Sequence, residues 1–68
     1  MEEKEFIKHF GKDVEIILDT GEEVKGHCES FTRSIDSDNG IASLVIATPD
    51  GYFEVFQNEV KEIKKITP

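Results

Sequence analysis

From Lys12 onward the apolar residues recur at every second position, a period that strands satisfy and helices do not. Val14, Ile16 and Leu18 lie on one face against Asp13, Glu15 and Asp19 on the other, the alternation of a half-buried strand. Asp19-Thr20-Gly21-Glu22 carries turn chemistry, and Val24, Gly26 and Cys28 then alternate against Glu23, Lys25, His27 and Glu29 as a second strand. Gly26 stands inside that strand, where it packs nothing and costs backbone entropy, so it marks a sharp bend or bulge. Beyond it the phase slips, since Phe31 is apolar on what had been the polar side.

Three more strands follow. Ile41 to Thr48 is the most apolar run, without charge or proline, and suits a central strand covered on both faces. Pro49-Asp50-Gly51 is a tight turn, after which Phe53 and Val55 oppose Tyr52, Glu54 and Phe56 on a fourth strand. Residues 58–60 have room for one helical turn, and residues 62–66 form a short last strand ending on Ile63 and Ile66. Ahead of the strands, Phe6, Ile7 and Phe10 make one apolar face of a short helix, with Glu2, Glu3 and Glu5 at its start and Gly11 as C-cap. A helix of about two turns does not stand alone and must dock its phenylalanines elsewhere. The expected bounds are a helix over 2–9 and strands over 12–19, 22–32, 40–48, 51–57 and 62–66, in one domain spanning 1–68.

At 68 residues such a domain sits near the size at which a single core stops supplying comfortable stability, so contacts outside the monomer are expected to contribute. Fifteen acidic side chains against eight basic ones give a net charge of -7. That field repels phosphate backbones and anionic membrane surfaces, which disfavours RNA and membranes as partners and favours a basic protein. Cys28 is the only cysteine, which excludes an intrachain disulfide and a thiolate zinc cluster. With an acidic N-terminus unlike a signal peptide and no apolar run of membrane length, a cytoplasmic location is expected.

The stretch GKDVEIILDTGEEVKG at 11–26, with its Val-x-Ile strand, Asp-x-Gly turn and bending Gly26, resembles the first motif of the Sm-like small-barrel family. Phe31 stands five residues after Gly26, as the family's aromatic does, and EVKEIKKI at 59–66 is similar to the family's closing strand. The resemblance covers nearly the whole chain. It implies a mostly β fold, in which a short N-terminal helix precedes a strongly bent five-stranded antiparallel sheet forming a small barrel. It also implies rings in which strand four of one subunit pairs with strand five of the next. Members that bind uridine-rich RNA carry Asp one residue after the aromatic and Asn four further on. Here those positions are Thr32 and Asp36, the loop is about five residues longer, and the Arg-Gly or Lys-Gly step after strand four is Gln57-Asn58.

Candidate chemistry is sparse. Asp36-Ser37-Asp38-Asn39-Gly40 imitates the start of an EF-hand loop, but glycine falls at position five, Ala47 at position twelve, and the flanks are strands. It reads as a solvated hairpin tip in which Asn39-Gly40 supplies positive φ. Within a strand Cys28 points away from its neighbours His27 and Glu29, so the three cannot converge on a metal, and Cys28 reads as a small core residue. Glu22, Glu23 and Glu29, with Glu15 and Asp19, form an acidic face that is either solvated or a dock for a basic partner, while Lys61, Lys64 and Lys65 are a weak basic cluster on the tail. Tyr52 and Phe56 either pack under the helix or form an interface.

These readings converge on a non-enzymatic binding module that self-associates. No pattern points to a cofactor, a metal or a small-molecule substrate. The candidate recognition loop comprises Phe31, Arg33, Asp36, Asp38 and Asn39, and the candidate oligomer edge Tyr52, Glu54, Phe56 and Ile63. An RNA-binding ring with an altered loop, reading nucleotides through Arg33, Phe31 and Asn39, is the second reading. A domain that helps a ribosomal or transcription complex mature is the third.

Overall fold

A computed structural model describes residues 1–66; Thr67 and Pro68, the end of the expected domain, lie outside the described residues. In chain order it contains α1 (Glu3–Ile7), β1 (Asp13–Leu18), β2 (Glu23–Thr32), β3 (Ser43–Thr48), β4 (Gly51–Phe56) and β5 (Val60–Lys65), with 3-10 turns at Ser34–Asp36 and Gln57–Glu59. The strands form one antiparallel sheet in the order β4-β3-β2-β1-β5. All the expected elements are present, with shifted ends.

Each shift has a local cause. The helix is shorter than 2–9 because Glu2 provides no side-chain cap, and from His9 the bonds tighten to His9 N to Phe6 O, Phe10 N to Ile7 O and Lys12 N to His9 O. β3 begins at Ser43, not residue 40, because Ile41 donates its N–H to Asn39 Oδ1 and the Ala42 carbonyl accepts from Gln57 N. β5 begins two residues early because Val60 pairs with Leu18 after a register shift between Ile17 and Leu18.

β2 carries the sheet from one neighbour to the other. Its residues 23–27 pair with β1 and residues 27–32 pair with β3. The expected slip of phase comes at Glu29, where the register passes from Cys28 opposite Ile46 to Ser30 opposite Val45, leaving Glu29 as the extra residue of a bulge. Gly26 has a different role: a Cβ there would lie 2.1 Å from the Ala47 carbonyl oxygen and 2.9 Å from Ile46 Cγ2. Backbone meets backbone at this point, and only glycine fits.

The core is Phe6, Val14, Ile16, Cys28, Ala42, Leu44, Ile46 and Val55, all buried, with Ile7, Leu18, Val24, Val60 and Ile63 packed on it. Cys28 is thus a small core residue, and burial pushes its thiol pKa up. β3 is interior, between β2 and β4, with Leu44 and Ile46 in the core and Val45 and Ala47 half-buried on the other face. The helix inserts Phe6, while Phe10 rests edge-on against Phe31 with ring centroids 5.1 Å apart.

The sheet stays open. β4 and β5 are its two edges and are not paired with each other, so the expected closed small barrel does not form through backbone pairing. Consequently Phe53 is left 46% exposed, although its strand-mate Val55 is buried.

Replacing Gly26 by alanine should cost about 3 kcal/mol, because the new methyl group meets a carbonyl that cannot move without breaking the β2–β3 ladder. Phe6→Ala should cost about 3–5 kcal/mol by emptying the site under the helix. Urea titration followed by circular dichroism measures both, and a loss under about 1 kcal/mol for Gly26→Ala contradicts the close approach.

Candidate recognition surfaces

The loop between β2 and β3 is built, not merely solvated. Ser37 Oγ donates to Asn39 Oδ1 at 2.6 Å, Ile41 N donates to the same oxygen at 3.0 Å, and Gly40 takes φ of 73° as Asn-Gly requires. Arg33 Nε lies 3.6 Å from Asp36 Oδ2. Glu3 of the helix accepts the Ser34 N–H at 3.2 Å, which ties the loop to the N-terminus. On the 3-10 turn, Ile35 is 85% exposed.

Two of the expected groups meet. A cleft of about 410 Å³ is lined by Asp36, Asp38 and Asn39 from the loop and by Ser43, Glu54 and Phe56 from β3 and β4. Register explains the meeting: Ser43 faces Phe56 and Val45 faces Glu54, so these side chains share the face opposite the core, toward which the long loop folds. Ser43 Oγ donates to Glu54 Oε2 at 3.0 Å. Phe31 and Arg33 line a different cleft with Ile7 and Asp36, and Ile63 is at the far edge on β5. The expected recognition loop is therefore divided between two surfaces, and the expected oligomer edge between the two ends of the sheet.

A third cleft, of about 510 Å³, lies where the loop approaches the turn after β4. Ser34, Gly40 and Ile41 form one wall and Gln57, Asn58 and Val60 another, closed by Met1 and Glu3. Gln57 Nε2 donates to the Met1 carbonyl at 2.7 Å across it. Tyr52 does not pack under the helix; it is 73% exposed on β4, whereas Phe56 is half-buried.

Electrostatics divide the expected acidic face. Glu15 sits between Lys64 and Lys25, each ammonium 3.1 Å from one of its oxygens. Both cross-strand contacts follow from register, Glu15 being opposite Lys25 on β2 and Lys64 on β5. Glu15 is therefore a neutralised hinge between three strands and no part of an open acidic patch. Lys64, expected to be solvated on the tail, is committed to it. His27 Nδ1 lies 2.9 Å from Asp13 Oδ1 two pairs further along, on the same face. Among the described residues no three His, Cys, Asp or Glu side chains converge to hold a metal ion. No described helix is long and apolar enough to cross a membrane.

Comparison with protein-family models, curated proteins and solved structures returns no match.

Sequence reasoning missed Glu3, Phe10 and Gln57 as parts of these surfaces. The Glu3–Ser34 contact spans 31 residues and Gln57–Met1 spans 56, and nothing local signals either.

The hydrogen bond from Lys64, then that from Lys25, holds the Glu15 carboxyl below the usual carboxylate range. A depressed folded-state pKa stabilises the fold above the ordinary carboxylate range and loses that contribution as pH falls through the depressed value. Glu15→Gln should accordingly lower the melting temperature at neutral pH, with the gap to the parent protein closing in acid. A gap independent of pH from neutrality to strong acid rules out this charge origin.

Proposed function

We propose that the chain is a non-enzymatic binding module of the Sm-like type that self-associates through the edges of its open sheet and prefers a basic protein partner to RNA. The observation that carries this is the pair of unpaired edges. β4 and β5 each present a free row of backbone N–H and C=O groups, a template for strand addition from another chain. Their side chains differ in sign. β4 contributes Glu54 and, in the turn before it, Asp50, while β5 contributes Lys61 and Lys65 against Glu62, with Glu59 just ahead of it and Lys64 paired to Glu15. Head-to-tail pairing of β4 with the β5 of a second copy thus brings unlike charges together. Tyr52 supplies an exposed aromatic at that edge.

The preference for protein rests on how the loop spends its residues. The groups that would read a nucleotide are occupied within the chain: Arg33 with Asp36, Asn39 with Ser37 and Ile41, Phe31 with Phe10. Asp36, Asp38 and Glu54 crowd the adjoining cleft, where a phosphate would meet carboxylates. Exposed Ile35 is a protein-contact feature. A free, buried Cys28 supports the reducing, cytoplasmic setting of this reading.

Light scattering should give a mass that is a multiple of 7.7 kDa, and Tyr52→Lys should reduce it while leaving the fold intact. A clean monomer at millimolar protein defeats the edge reading. Tight binding of oligo-uridine at physiological salt, abolished by Arg33→Ala, reverses the preference for protein.

A further inference from the structure

The helix closes one end of the sheet's concave face with Phe6; at the other, the tips of the β1–β2 and β3–β4 hairpins leave an open mouth of about 310 Å³. Leu18, Val24, Pro49 and the half-exposed ring of Phe53 line it. At its rim stand Glu22 and Asp50 from the two turns, whereas Glu23 and Lys25, alternating with Val24, carry their side chains to the outer face beside Glu15 and Lys64. Neither of these two carboxylates makes a salt bridge among the described residues, Glu22 Oε1 accepting only the Thr20 hydroxyl at 3.2 Å, and Lys25 holds its ammonium 3.1 Å from Glu15 on the outer face. The mouth therefore combines an apolar floor and an aromatic face with uncompensated negative charge. Its volume lies at the small end of ligand clefts and suits one or two side chains, not a cofactor.

We propose that this mouth docks an arginine side chain presented by a basic partner polypeptide. The chemistry selects arginine on three counts. Its three-carbon stem covers apolar surface while the head stays among polar groups. The planar guanidinium stacks on an aromatic ring such as Phe53. Its fork of donors matches carboxylates in charge-assisted pairs. Leu18, Val24, Phe53 and the two acids Glu22 and Asp50 supply each requirement in one place. The assignment rests on the chain being a protein-binding module, and not on edge association.

Isotope-labelled protein titrated with acetyl-Leu-Arg-Leu-amide, and separately with the same peptide carrying citrulline, tests it by amide chemical shifts. Saturable shifts at Leu18, Val24, Thr48 and Phe53 are expected with the arginine peptide alone. The combined substitution Glu22→Gln and Asp50→Asn should weaken binding about tenfold or more, and Phe53→Leu, which keeps the floor apolar, should weaken it less. Equal response to citrulline, shifts spread over Glu29 and Glu59, or unchanged affinity in the double variant each overturn the proposal. So does the absence of saturable binding in protein whose amide spectrum shows the fold intact. Concentration-dependent shifts at the same amides without peptide would assign the mouth to a second copy. Light scattering on the same samples separates the two readings: an unchanged multiple of 7.7 kDa without peptide binding removes only the arginine dock.

Discussion

The carbonyl oxygen of Ala47 lies 2.1 Å from where a side chain on residue 26 would begin, and the rest of the sheet is arranged around that contact. β2 must leave β1 and join β3 within a few residues, and at the crossing the two backbones are closer than any Cβ allows. Because Gly26 permits the approach, Cys28 can meet Ile46 in the core and one ladder can continue into the next. The bulge at Glu29 then resets the phase, which brings Phe31 opposite Leu44 and within reach of Phe10. Helix docking, loop position and the concave face all depend on a residue that itself buries nothing.

Charge does its structural work in one place and leaves the rest of the surface free. Glu15 is flanked by strands that each deliver a lysine, so its attraction is shared across β5-β1-β2 on the sheet's outer face. Exposed pairs elsewhere, such as Glu5 with Lys8 one helical turn apart, contribute little. Spending two of eight cations on one carboxylate leaves the hairpin tips with acids alone. Part of the net charge of -7 therefore stands at the hairpin tips, where an apolar mouth is also open.

What could be read from the sequence was what depends on near neighbours. The alternation of Val14, Ile16 and Leu18, the turn at Asp19–Glu22 and the positive φ at Gly40 are set within a few residues, and each is present. Three features were out of reach because they depend on register or closure. Glu15 was counted with the free acids, since only the pairing of both flanking strands reveals its two lysines. Phe53 was placed opposite Tyr52 on the strand, and it does share a face with Val55; that this face is uncovered at its end follows from the sheet's failure to close. The loop was read as one group, but its own 3-10 turn sends Asp38 and Asn39 toward Glu54 while Phe31 and Arg33 face Ile7.

An open sheet of this size has to resolve the exposure of its edges in some way, and the side chains indicate which. Natural edges are commonly protected by a proline, a bulge or inward-pointing charge, yet β4 runs Gly-Tyr-Phe-Glu-Val-Phe without proline and pairs with β3 without interruption. β5 carries lysines, which discourage pairing with a like strand but favour an acidic one. Under the proposed self-association, such an arrangement would oppose β5 meeting β5 and favour β4 meeting β5, a heterologous contact whose repetition would close into a ring or continue as a fibre according to the rotation between copies. The crossing at Gly26, where β2 passes from β1 to β3, sets how one edge of the sheet lies relative to the other, so the contact that organises the monomer would also govern the angle at which a second copy joins.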